Sequence, residues 1–97
     1  MKGKSWVVEA ELKSRGFAEK WSGTGYIREA VRVVSNEPTL RHVPLTKEVY
    51  PAIARAANIS NSSVERAMRY AVHKAQPGET VGGVVYGIAA KVRAYED

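Results

Sequence analysis

Apolar residues in this chain recur at spacings of three and four, and short stretches rich in Gly, Pro, Asn and Ser separate the runs. That period is helical, and it divides the chain into five segments. The first spans Ser5 to Arg15: Ser5 suits a cap, Val8 and Leu12 stand one turn apart, and Gly16 suits a left-handed stop. A connection follows to Thr24, with Phe17 and Trp21 as its apolar anchors. The second segment runs from about Thr24 to Ser35, where Ile27, Ala30, Val31 and Val34 form one stripe and Arg28, Glu29 and Arg32 face away. Asn36-Glu37-Pro38 closes it, and a loop continues through Pro44.

The third segment is expected to start near Thr46, a good cap residue, with Val49, Ile53, Ala54 and Ala57 as its stripe. Pro51 leaves two possibilities: a kink where one ladder hydrogen bond is lost, or a helix that begins afresh with Pro51 in its first turn. The fourth segment runs from about Asn61 to Ala75 and ends at Pro77-Gly78. The fifth follows Thr80. By propensity Val81 to Ile88 resembles a strand, but Val81, Val84, Val85, Ile88, Ala89, Val92 and Tyr95 keep helical period over four turns. Length and period favour the helix, although Gly82, Gly83 and Gly87 each cost it about 1 kcal/mol against Ala. The expected fold class is all-α: one domain over residues 1–97, a compact bundle of about five helices and no sheet.

Residues 46–75 add a more specific pattern, that of a helix-turn-helix. Two short helices that cross closely need a small residue at the contact, and Ala54 supplies it. The turn needs one residue that accepts positive φ, for which Asn58 is suited. Ile53, Ala57, Ile59, Val64 and Ala67 are then expected in the shared core, and Ser60 caps the second helix. At about 100° per residue, Val64, Ala67, Met68, Ala71, Val72 and Ala75 gather on one side of that helix. Ser62, Arg66, Arg69 and His73 centre on the other, with Glu65 and Tyr70 at the margins.

Such a face suits a duplex: guanidinium forks for guanine edges and phosphates, hydroxyls for phosphates, a carboxylate for cytosine. Plainer roles exist for each residue. Glu65 lies three after Ser62 and four before Arg69, so it fits either a capping box or a helical ion pair. Tyr70 suits packing at the rim, and His73 suits solvent. Arg55 on the preceding helix either reaches a phosphate or keeps that helix soluble.

The charge agrees with a polyanionic partner. Lys and Arg total 15 against 10 Asp and Glu, for a net charge of +5. The only Asp is Asp97, which disfavours a carboxylate-built Mg²⁺ or Ca²⁺ site. The chain has no cysteine and therefore no disulfide, thiolate nucleophile or cysteine-ligated metal. Its two histidines, His42 and His73, are poor material for nucleophilic catalysis, and neither Ser22-Gly23-Thr24-Gly25 nor Gly82-Gly83 has the ending of a phosphate loop. An enzyme is not expected, nor a metal or cofactor. No 18-residue apolar run is present, and charges interrupt the segment behind the basic N-terminus, so neither a membrane span nor a signal peptide is expected and the location should be cytoplasmic.

Three blocks stand in order: Gly25-Tyr26-Ile27-Arg28-Glu29-Ala30, then Leu45-Thr46-Lys47-Glu48-Val49-Tyr50-Pro51-Ala52-Ile53-Ala54, then Ser63-Val64-Glu65-Arg66-Ala67-Met68-Arg69-Tyr70-Ala71. On these, residues 8 to 76 resemble the C-terminal DNA-binding effector domain of the stage-zero sporulation protein A family; the last helix matches more loosely. The resemblance implies an all-helical domain whose helix-turn-helix docks in the major groove, with Glu65, Arg66 and Arg69 as the base- and backbone-contacting residues. It also implies paired or tandem binding on double-stranded DNA and contact with the RNA polymerase sigma subunit. Ser63 stands where the family motif has Arg, and Tyr70 where it has His, so the family's usual target need not be this chain's; one bidentate reader carries about 1–3 kcal/mol of base discrimination. The family's further helix before the last one shrinks here to about Gln76 to Glu79, and its receiver domain, with the phosphorylation control it brings, is not expected in this chain. The functional expectation is a sequence-specific transcription regulator. The alternative is a protein-interaction adaptor or inhibitor built on the same scaffold. The last helix is expected in the core, with a homodimer surface as its other use.

Overall fold

The computed structural model describes residues 5–36 and 44–95. The expected stop at Asn36-Glu37-Pro38, the loop after it and His42 lie, apart from Asn36 and Pro44, outside the described residues. Among those described there are five α-helices and no strand: α1 (Ser5–Ser14), α2 (Ser22–Ser35), α3 (Tyr50–Ala57), α4 (Asn61–Ala75) and α5 (Val81–Ala94).

Helix ends follow local chemistry. After α1, Gly16 adopts φ +91°, and the amides of Gly16 and Phe17 donate back to the carbonyls of Lys13 and Leu12, which forms a Schellman closure. The same closure ends α3 at Asn58, φ 61°, with Asn58 and Ile59 donating to Arg55 and Ala54. At the start of α4 the Ser60 hydroxyl accepts from the Ser63 amide, and at the start of α5 Thr80 accepts from Gly83.

Pro51 is accommodated without a break. A single π-helical stretch, Leu45–Val49, leads directly into α3. The amides of Glu48 and Val49 both donate to the Pro44 carbonyl, and Tyr50 donates to Leu45. Pro51 then falls in the first turn of α3, where its missing N–H costs little. Thr46 is not the cap: the stretch starts at Leu45 after an extended Pro44, with no side-chain cap bond. Likewise α2 begins at Ser22, two residues before the expected start at Thr24.

α2 is the central helix, packed most extensively on α4 and α5. Its Ile27, Ala30, Val31 and Val34 are fully buried, as are Val64, Met68 and Ala71 of α4 and Val84, Val85, Ile88 and Ala89 of α5. The helical reading of the glycine-containing last segment therefore holds. Some expected core residues are not in the core. Ala57 and Ile59, which flank the turn at Asn58, are exposed, Ala67 is only half-buried, and Tyr95, the last of the α5 stripe, is exposed. Val49, Ile53 and Ala54 carry the burial of the α3 stripe instead.

Candidate nucleic-acid interface

The exposed face of α4 is set by the helices behind it. On one side α3 packs against it, and Ala54, the small residue the pattern called for, is buried. On the other side α2 approaches closely. A Cβ placed on Gly23 would lie 2.1 Å from the Ala67 carbonyl oxygen and 2.9 Å from the Ala71 Cβ. Only a glycine lets the backbones meet at this distance. Next to it Thr24 is fully buried and its hydroxyl donates to the Ala18 carbonyl at 2.7 Å, which fixes the α1–α2 connection against the start of α2.

The predicted contact residues separate into three groups. Ser62, Arg66, Arg69, Tyr70 and His73 are exposed along α4, and Arg55 is exposed on the last turn of α3. Ser63 is half-buried and already engaged: its amide donates to the Ser60 hydroxyl at 3.1 Å, and the two hydroxyls are 2.9 Å apart. Glu65 is not a capping-box residue, since the helix starts at Asn61. It accepts from Arg69 at 2.7 Å, one turn away. Burial, and after it the Glu65 carboxylate, push the phenol of Tyr50 above its ordinary range.

Ion pairing sorts the cations. Arg15 pairs with Glu11, Arg28 with Glu9 and Glu19, Arg32 with Glu29, and Lys91 with Glu11, all on α1, α2, α5 or the connection after α1. Hydrogen bonds to Glu9 are the chief reason the Arg28 guanidinium is held more firmly protonated than usual. By contrast Lys13, Lys20, Lys47, Arg55, Arg66 and Lys74 make no ion pair with any described residue. All of these but Lys13, on α1, lie on the helix-turn-helix or beside it.

Sequence reasoning gave Trp21 only as an apolar anchor of the connection after α1, not as a neighbour of α4. Its ring is partly buried against the core and meets Tyr70 edge-on, with centroids 6.1 Å apart. Tyr70 is thus a rim residue with a fixed partner, 53% exposed. Gly23 was missed, although it lies four residues before Ile27, on the same stripe. Among the described residues no group of His, Asp and Glu is arranged to hold a metal, and no helix is long and apolar enough to cross a membrane.

No solved structure matches this chain significantly. The profile of one family, the sporulation initiation factor Spo0A C-terminal domain, matches residues 8–82. That span holds α2, α3, α4 and most of α1, so it includes the whole of the braced, cation-bearing face. The chain belongs to the Spo0A C-terminal family, a family of DNA-binding domains of transcription regulators.

Proposed function

We propose that residues 1–97 act as one sequence-specific DNA-binding unit that lays α4 in the major groove of a duplex. Arg66 and Arg69 contact phosphates and base edges, Ser62 and Ser63 sit at the backbone near the start of the helix, and Glu65 biases base choice. Arg55, Tyr70 and His73 flank the contact. The observation that carries this reading is the exposed face of α4, braced from behind by α2 and α3, with Arg66 and Arg55 free of ion pairs to described residues. A single copy with few phosphate contacts binds weakly and with steep salt dependence, so paired copies on adjacent half-sites supply the working affinity. Contact with the RNA polymerase sigma subunit would follow from the family resemblance.

The test is a titration with duplex DNA at low and high salt. Arg66→Ala and Arg69→Ala are expected to lose retention at moderate salt while their helical circular dichroism and melting stay unchanged. Equal binding by both variants and the parent would refute the assignment of this face. Failure of the parent to bind duplex even at low salt would favour the adaptor.

A further inference from the structure

An open groove runs beside the Gly23–Ala67 contact of α2 with α4, lined by Trp21, Tyr70 and Ala67 and by Lys20, Ser63 and Arg66. The two cations make no ion pair with a described residue, although Glu19 is the immediate neighbour of Lys20 in the chain; Glu19 is occupied by Arg28 at 2.7 Å. At about 530 Å³ the groove far exceeds the roughly 30 Å³ share of one water molecule, so it has room for a sugar-phosphate unit. Its chemistry is amphipathic in the same sense as such a unit. Apolar and aromatic surface and two cations line the same groove, as a deoxyribose stands beside its anionic phosphate. Trp21 and Tyr70 hold each other edge-on, so this wall is preformed.

We propose that this groove seats one sugar-phosphate unit of the DNA backbone, with the phosphate between Lys20 and Arg66 and the deoxyribose against Trp21 and Tyr70. The contact extends the interface past the helix-turn-helix to the connection between α1 and α2. It rests on the reading of the chain as a duplex-binding domain. Because it touches only backbone, it fixes register and adds affinity without reading sequence.

Salt dependence of binding to a labelled random-sequence duplex tests the proposal. Removing one phosphate contact lowers the slope of log K against log salt by about 0.9. Lys20→Ala and Lys20→Gln should both show that loss, so that between 50 and 200 mM salt their affinity falls roughly threefold less than the parent's. Lys91→Ala, which removes a cation paired with Glu11 on α5, should leave the slope unchanged. A parent-like slope in both Lys20 variants, or an equal drop in Lys91→Ala, overturns the groove contact while duplex binding itself stands. If the parent does not bind duplex at low salt, the reading beneath it falls as well.

Discussion

Gly23→Ala isolates the contact that orients the candidate recognition helix. In a helix this exchange ordinarily stabilises, by up to about 1 kcal/mol. Here the added methyl would lie 2.1 Å from the Ala67 oxygen and 2.7 Å from its carbonyl carbon. Reaching ordinary contact at 3.4 Å requires α2 and α4 to part by roughly 1.3 Å along that line. The obstacle is backbone, so no side-chain rotation relieves it. Overpacking costs about 1–3 kcal/mol when a core can yield, and a radial gap of 0.5–1 Å forfeits about a quarter to a half of each dispersion contact across the seam. With a cost near the top of that range, the helix-propensity gain is outweighed and the net loss is about 2 kcal/mol. In a domain of this size that lowers Tm by roughly 8–16 °C. Ala71→Gly should rescue only partly, since it removes the 2.9 Å contact and leaves the carbonyl in place. Thermal unfolding followed by circular dichroism reads the outcome. A Gly23→Ala variant as stable as the parent, or more so, would refute the close crossing.

Other consequences follow from single contacts. At Gly87 the nearest neighbour of an added Cβ is the Arg15 guanidinium at 3.7 Å, an ordinary contact, so Gly87→Ala should raise stability by up to about 1 kcal/mol in chemical denaturation. Glu65→Gln removes a negative charge from the α4 face and releases Arg69; binding to random duplex should strengthen and discrimination between duplex sequences should weaken, measured by competition. Burial holds the phenols of Tyr50 and Tyr86 above their ordinary range, so the folded chain keeps these protons more tightly than the unfolded chain. Their contribution is fully present below about pH 10 and is lost as pH rises beyond it, so Tyr50→Phe and Tyr86→Phe should flatten the fall of Tm in alkaline titration.

What was legible in the sequence was whatever depends on local chemistry. Gly16 and Asn58 sit at positive φ because the chain must reverse there, and Ser60 and Thr80 cap because each precedes a stripe. The glycine-bearing α5 was recoverable because Val84, Val85, Ile88, Ala89 and Val92 keep period even where propensity argues for a strand. What failed depended on neighbours. Ala57 and Ile59 continue the pattern of α3, yet both are exposed. The π-helical entry to Pro51 comes from the carbonyls of Pro44 and Leu45 accepting across a wider turn, which no residue type announces. For the site, helical phase placed Arg66, Arg69 and Ser62 on the exposed face. It carried no information about Trp21 or Lys20, which reach α4 through the fold from more than forty residues away.

The distribution of ion pairs explains how a modest net charge can serve one face. Exposed pairs such as Arg32 with Glu29 contribute little to stability. They do cancel much of each other's field beyond a Debye length, about 8 Å at physiological salt. Among the described residues, Arg28 and Arg32 are offset in this way and Arg15 and Lys91 share Glu11, whereas Lys20, Lys47, Arg55, Arg66 and Lys74 and, away from them on α1, Lys13 make no ion pair. In the proposed docking, the group on and beside the helix-turn-helix would steer an approaching polyanion toward that face before any contact forms. Arg69 is the one cation at the centre of that face that arrives already paired. In the proposed docking, its exchange from Glu65 to a phosphate or a guanine edge must offset the lost pair, and Glu65 would then be free to accept from a cytosine or to repel a backbone set in the wrong register. On that reading, one salt bridge couples base choice to backbone contact on the same turn of α4.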